Sequence, residues 1–179
     1  MGFLLPTIER VVAAIGAGRR GIHALVISPT RELASQIEEE CQQLMTFHKP
    51  QLSARVVFGG TNVKADVRDL KGANTPSLVV ATPGRLNDLL YNYGVDALCA
   101  NLSTLVFDEA DQLLEMGFRP DVTKILAKLQ PSAATRQTLL FSATMPQDVM
   151  AIAKFATRPT VRRGRHRTPD PEPQPQPQP

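Results

Sequence analysis

Five short apolar runs do most to limit what this chain can fold into. They are His23 to Ser28 (HALVIS), Arg55 to Phe58 (RVVF), Ser77 to Ala81 (SLVVA), Thr104 to Phe107 (TLVF) and Gln137 to Phe141 (QTLLF). Each is too short for a core helix. Most are apolar almost without interruption, as a strand covered on both faces must be. Between them lie stretches with helical spacing. Leu4, Ile8, Val11, Val12 and Ile15 predict a helix over 3–15, closed by Gly16 and Gly18. Leu33, Ile37, Cys41 and Leu44 line a second helix, and Leu86, Leu89, Leu90 and Tyr93 a third. Val122, Ile125, Leu126 and Leu129, then Val149, Ile152, Ala153 and Ala156, line two more. Buried strands alternating with amphipathic helices make βαβ units. The expected fold class is therefore α/β, a mostly parallel sheet flanked by helices on both faces.

In such a sheet, ligands bind beyond the carboxyl ends of the strands. Every predicted strand delivers polar or glycine residues there: Pro29-Thr30-Arg31, Gly59-Gly60, Thr82-Pro83-Gly84-Arg85, Asp108-Glu109-Ala110-Asp111 and Ser142-Ala143-Thr144.

Composition narrows the class further. The 179 residues are 42% hydrophobic and 21% charged, enough apolar material for one packed domain. The net charge of +3 only permits an acidic partner. No apolar run reaches the length of a membrane span. The two cysteines, Cys41 and Cys99, have no metal-ligand spacing and fit a reducing intracellular compartment, nucleus or cytoplasm. Arg158, Arg162, Arg163, Arg165 and Arg167 precede PDPEPQPQPQP, whose alternating prolines predict a disordered or polyproline-like tail.

Leu105-Val106-Phe107 runs straight into Asp108-Glu109-Ala110-Asp111. A hydrophobic strand that presents an Asp at its carboxyl end is the arrangement that holds Mg²⁺ on a nucleotide's phosphates. A carboxylate beside it can orient or activate water. Acids also favour a helix N-terminus through its dipole, but that explains acids in general and not this junction. Thr82-Pro83 and Thr30 read as ordinary helix starts. Arg85 and Arg31 in the first turns that follow oppose the dipole, which makes sense if a phosphate sits there.

PTRELA at 29–34, Gly59-Gly60, TPGR at 82–85, DEAD at 108–111 and SAT at 142–144, in that order, resemble the motifs of the DEAD-box ATP-dependent RNA helicases. The resemblance spans residues 1–159. It implies a partial RecA-like ATP-binding domain at 1–160, incomplete at the strand that carries the phosphate loop, with 161–179 as a basic, then Pro/Gln-rich tail. It implies ATP and Mg²⁺, with Asp108 holding Mg²⁺ through water and Glu109 as the catalytic carboxylate. Asp111 would bond to Ser142 or Thr144 and couple hydrolysis to domain movement. Pro29, Thr30, Arg31, Gly59, Gly60, Thr82, Pro83, Gly84 and Arg85 would grip the backbone of single-stranded RNA. For Arg31, RNA contact and pairing with an internal acid remain equal alternatives.

The family's phosphate loop, GxxxxGK[ST], would precede the first helix, and it does not occur in these 179 residues. Gly16-Ala17-Gly18-Arg19-Arg20 follows a helix and lacks the Lys-Ser/Thr. The adenine-reading Q motif and a second RecA-like domain are also not found in the sequence. Two readings stay open: a piece or incomplete gene model of a helicase, or a non-catalytic RNA-binding half-domain. An unrelated ATPase is disfavoured by PTRELA and TPGR.

Overall fold

The computed structural model describes residues 2–48 and 52–156. The basic cluster and proline tail lie outside the described residues. Five strands form one all-parallel sheet in the order β2-β3-β1-β4-β5: β1 (Ala24–Ile27), β2 (Ala54–Val57), β3 (Leu78–Ala81), β4 (Thr104–Phe107) and β5 (Gln137–Leu140). Seven α-helices connect and cover them: α1 (Leu4–Gly16), α2 (Arg31–Met45), α3 (Val63–Lys71), α4 (Pro83–Asn92), α5 (Ala110–Glu115), α6 (Arg119–Lys128) and α7 (Gln147–Ala156).

Side chains alternate across the sheet, and the two faces form separate cores. Ala24, Val26, Leu78, Val80 and Val106 meet Leu4, Ile8 and Val11 of α1 and Ile37 and Cys41 of α2. Leu25, Ile27, Val79, Ala81, Leu105 and Phe107 meet Leu86, Leu89, Leu90, Ile125 and Leu126 on the other face. Strands β1, β3 and β4 are fully buried, so they read as unbroken apolar runs. Strand β5 is half-exposed, and among the described residues it pairs only with β4. Among the described residues β5 is thus one edge of the sheet.

Helix α1 ends where Gly16 and Gly18 predicted. The amide of Gly18, at φ +75°, donates to Ile15 O (2.9 Å) and that of Arg19 to Ala14 O (3.1 Å). This paired bonding past a left-handed glycine satisfies the last helical carbonyls. Two helices were not anticipated. Helix α3 hides among charged residues, although Val63, Val67 and Leu70 are correctly spaced and the Asn62 side chain accepts from Lys64 N–H (3.0 Å). Helix α5 is too short for periodicity to reveal.

Candidate functional site

Parallel register brings the strand ends level. Ile27 is the partner of both Ala81 and Phe107, Val57 of Ala81, and Leu140 of Phe107. The hydrogen-bond ladder runs one residue further. Asp108 N–H donates to Ile27 O (2.9 Å), Ser28 N–H to Ala81 O (3.0 Å), Thr82 N–H to Val57 O (3.2 Å) and Phe141 N–H to Phe107 O (2.8 Å). All five polar segments therefore emerge along one edge, as the rule for parallel sheets requires. Ser28 lies there wholly buried, its hydroxyl without a hydrogen-bond partner.

At the acid corner, between β4 and β5, Asp108 is half-buried. Burial pushes its carboxyl up first, and the negative charge of Glu109 adds to this; one bond from Glu109 N–H (3.2 Å) works the other way. Glu109 itself is held at φ 49°, the left-handed region, alone among the described non-glycine residues. Such a conformation is uncommon and costs energy unless its surroundings impose it. Here Asp108 is fixed to β1 and Ala110 N–H donates to Phe141 O (2.9 Å), so the chain must turn within one residue.

Asp111 is buried and richly bonded. Its Oδ2 accepts from both Thr144 N–H and Thr144 Oγ1–H (2.8 Å each), and its Oδ1 from Gln112 N–H (3.2 Å). Its own N–H donates to Ser142 Oγ (3.1 Å), whose hydroxyl donates to Thr144 O (2.6 Å). The Thr144 hydroxyl and amide, with smaller help from Ser142 and Gln112, hold the Asp111 carboxyl down at about 2. The structure thus joins Asp111 to both Ser142 and Thr144.

At the arginine corner, Thr30 caps α2 by accepting from Leu33 N–H (3.2 Å). Arg31 is exposed, its guanidinium 6.0 Å from the centre of the Phe58 ring. No carboxylate pairs with it among the described residues. Gly60 sits at φ +89°, and a Cβ there would lie 2.9 Å from Arg31 Nη1. Gly59 is half-buried beside it, and Pro29 is buried. Thr82 occupies the N-cap of α4 with Pro83 behind it, but its side chain caps nothing. Gly84 is exposed, with open space around it.

Arg85 departs from the sequence reading in one respect. Its dipole-opposing place in α4 does not require an external phosphate. Its side chain is 8% exposed and forms an ion pair with Asp66 of α3, equally buried, while Nη2 donates to Thr61 O (2.7 Å). Asp66 supplies the anion from within, and it also accepts from Thr61 Oγ1–H (3.4 Å). Sequence reasoning missed Asp66, Thr61 and Phe58. The apolar spacing and Asn cap of α3 would have exposed Asp66 as an acid on the inner side of a helix.

Such an edge defines a class: an α/β protein whose parallel strands present a cluster of acids at one corner and an exposed arginine at another. The comparisons then place it. The family model described as DEAD/DEAH box helicase matches residues 1–152, and the chain belongs to that family. It is 40% identical over 159 residues to the mitochondrial ATP-dependent RNA helicase MSS116 of Phaeosphaeria nodorum, covering 89% of this chain and 29% of that protein. It is 43% identical over 164 residues to DEAD-box ATP-dependent RNA helicase 25 of Oryza sativa subsp. japonica, covering 88% and 27%. Among solved structures it resembles the yeast DEAD-box splicing factor Prp28 (TM-score 0.70, 35% identity, 78% of this chain and 31% of that one). It also resembles Mss116p bound to ssRNA and AMP-PNP (TM-score 0.67, 34% identity, 76% and 28%). The chain spans under a third of the length of each of these relatives. The fold is the RecA-like domain of those structures.

The acid corner suits Mg²⁺. Among the described residues no group of three or more His, Cys, Asp and Glu could hold a metal by itself. Mg²⁺ on a nucleotide needs no such cage; one or two carboxylates and the phosphates suffice. Asp108, half-buried beside a second acid, offers the hard oxygen donors that set requires.

Proposed function

We propose that this chain forms the ATP- and RNA-handling half of an ATP-dependent RNA helicase, in which ATP closes two domains over RNA and a short stretch of duplex separates. The observation that carries this is the Asp111–Ser142–Thr144 network. It ties the acid turn after β4 to the hydroxyl turn after β5, so a change at one must be felt at the other.

Asp108 would hold the Mg²⁺ of a bound nucleotide. When bound, the ion neutralises the triphosphate's charge. Glu109, fixed by its turn next to Asp108, orients the attacking water and accepts its proton. RNA lies along the other half of the edge, over Pro29, Thr30, Arg31, Gly59, Gly60, Thr82, Pro83, Gly84 and Arg85. The single strand is read through its sugar–phosphate backbone, without sequence preference. Arg31 is the charge that meets phosphate directly. Arg85 acts by holding Thr61 and α3 in place beneath it. A reducing intracellular compartment is supported by two free, buried cysteines, whose thiols burial pushes up to about 12. Among the described residues no helix is long and apolar enough to cross a membrane.

The alternative is a non-catalytic RNA-binding half-domain; these 179 residues hold no GxxxxGK[ST]. Positioning a phosphate for attack lowers a barrier by about 7–11 kcal/mol, and arginine fingers contribute on the order of 10³–10⁵ in rate. Asp108 and Glu109 cannot recover those terms alone. The 179-residue chain is therefore expected to show no RNA-stimulated ATP hydrolysis above background. Joined to such a loop and a second RecA-like domain, it should hydrolyse ATP, and Glu109→Gln should abolish that activity. Hydrolysis by the 179-residue chain alone, lost on Glu109→Gln, would keep Glu109 as the catalytic carboxylate and overturn this account of what the loop and the second domain supply.

A further inference from the structure

The opposite edge of the sheet holds a cavity that the family motifs do not touch. In a parallel sheet of four-residue strands, starts and ends lie about 13 Å apart. The cavity, of about 630 Å³, opens where β1, β2 and β3 begin, with His23, Ser53 and Ser77 on its wall. Its volume falls within the usual range for ligand sites. Arg19, Arg20, Asn74 and Thr75 also line it, and among the described residues no acid does.

The loop that carries the two arginines is fixed along its length. Arg19 N–H is bonded to Ala14 O (3.1 Å), Arg20 O accepts from Asn101 Nδ2 (3.1 Å), and Ile22 N–H donates to Leu98 O (2.8 Å). Gly21 lies at φ +102°, where a Cβ would stand 2.4 Å from Leu98 O, so no other residue fits. The backbone is committed while the guanidinium groups are not. No carboxylate among the described residues pairs with Arg19 or Arg20. A cavity flanked by two unbalanced guanidinium groups, with the Asn74 amide and the Ser53 hydroxyl on its wall, selects an anion able to accept several hydrogen bonds at once. Among the described residues the lining holds no Phe, Tyr or Trp.

We propose that this cavity is a second binding site, for a phosphate group, distinct from the edge that carries Asp108 and Arg31. The phosphate comes either from a free phosphate or pyrophosphate, or from an RNA backbone passing around the domain. The test follows the Arg19 and Arg20 side-chain resonances of the 179-residue chain by NMR, during titration with inorganic pyrophosphate and separately with a single-stranded oligonucleotide. Saturable shifts at both arginines are expected. Arg19→Gln with Arg20→Gln should weaken binding about tenfold or more, since each charge-assisted bond is a strong one. Arg31→Gln should leave pyrophosphate binding at this cavity unchanged. Loss of pyrophosphate affinity in the double variant assigns a free phosphate ligand; loss of oligonucleotide affinity alone assigns the RNA backbone. Both positions are exposed, so an unchanged thermal melt is expected and excludes unfolding as the cause. If neither ligand shifts these resonances, or if the double variant binds both as the parent does, the site does not exist.

Discussion

The acid corner and the arginine corner are built alike in one respect and differ in another. Each contains a charge the fold has committed and at least one it has left uncommitted. At the acid corner these are Asp111 and Asp108; at the arginine corner, Arg85 and Arg31. The means of commitment differs. Arg85 is satisfied by an opposite charge, with both partners shielded from water. Asp111 is satisfied by amides and hydroxyls of a neighbouring turn, with no cation. An ion pair of the first kind fixes α3 to α4. A set of hydroxyl and amide bonds can open and re-form at small cost, which suits a link meant to respond. Position in a motif does not reveal which charge is which; burial and partners do.

The largest effect tests the arginine corner. Breaking a buried pair strands a charge, at a cost of about 3–5 kcal/mol. Arg85→Ala should lower stability by that amount in denaturant unfolding, before any RNA is added. Asp66→Leu combined with Arg85→Met should restore most of it, because matched apolar groups avoid the stranded charge. A mild Arg85→Ala variant that only loses RNA affinity would return Arg85 to direct contact.

The acid corner should respond to pH. The Asp111 carboxyl titrates at about 2 in the folded chain against 3.8 ordinarily, so it binds a proton less readily when folded. Its stabilisation is complete above the ordinary value and lost as pH falls from 3.8 towards 2. Asp108 has the opposite shift: its charge opposes folding above its ordinary value until a cation offsets it. Melting temperature followed through this acid range should fall in the parent, and fall less in Asp111→Asn. Equal slopes in both would remove Asp111 from the account.

The smallest change in stability belongs to Arg31. Arg31→Gln should leave the thermal melt unaltered and weaken oligonucleotides of all sequences alike. The salt dependence should flatten by about 0.7 in slope, the share of one phosphate contact to a single strand. A strong preference among oligonucleotides of equal length would contradict backbone reading.

Much of this was legible in the sequence, for identifiable reasons. Strands β1, β3 and β4 are buried on both faces, so their runs of Val, Leu and Ile had one sensible reading. The edge with Asp108, Thr82 and Pro29 followed from the parallel sheet alone. What escaped was tertiary. The spacing of α3 puts Asp66 on the inner side of its helix, but nothing local shows that the partner waiting there is Arg85 of another helix. Thr82 had the chemistry of a cap and does not use it. Helix α5, six residues long, gave no period to detect.

Strand β5 is the least buried of the sheet's strands and is hydrogen-bonded on one side alone among the described residues. Its unshared amide protons face solvent or whatever packs there, so they should exchange with water sooner than those of β1. The consequence is kinetic. Ser142 and Thr144 follow the least buried strand, and their bonds to Asp111 should share its readiness to open. Whatever docks along β5 thereby gains control over how long the acid turn and the hydroxyl turn stay joined.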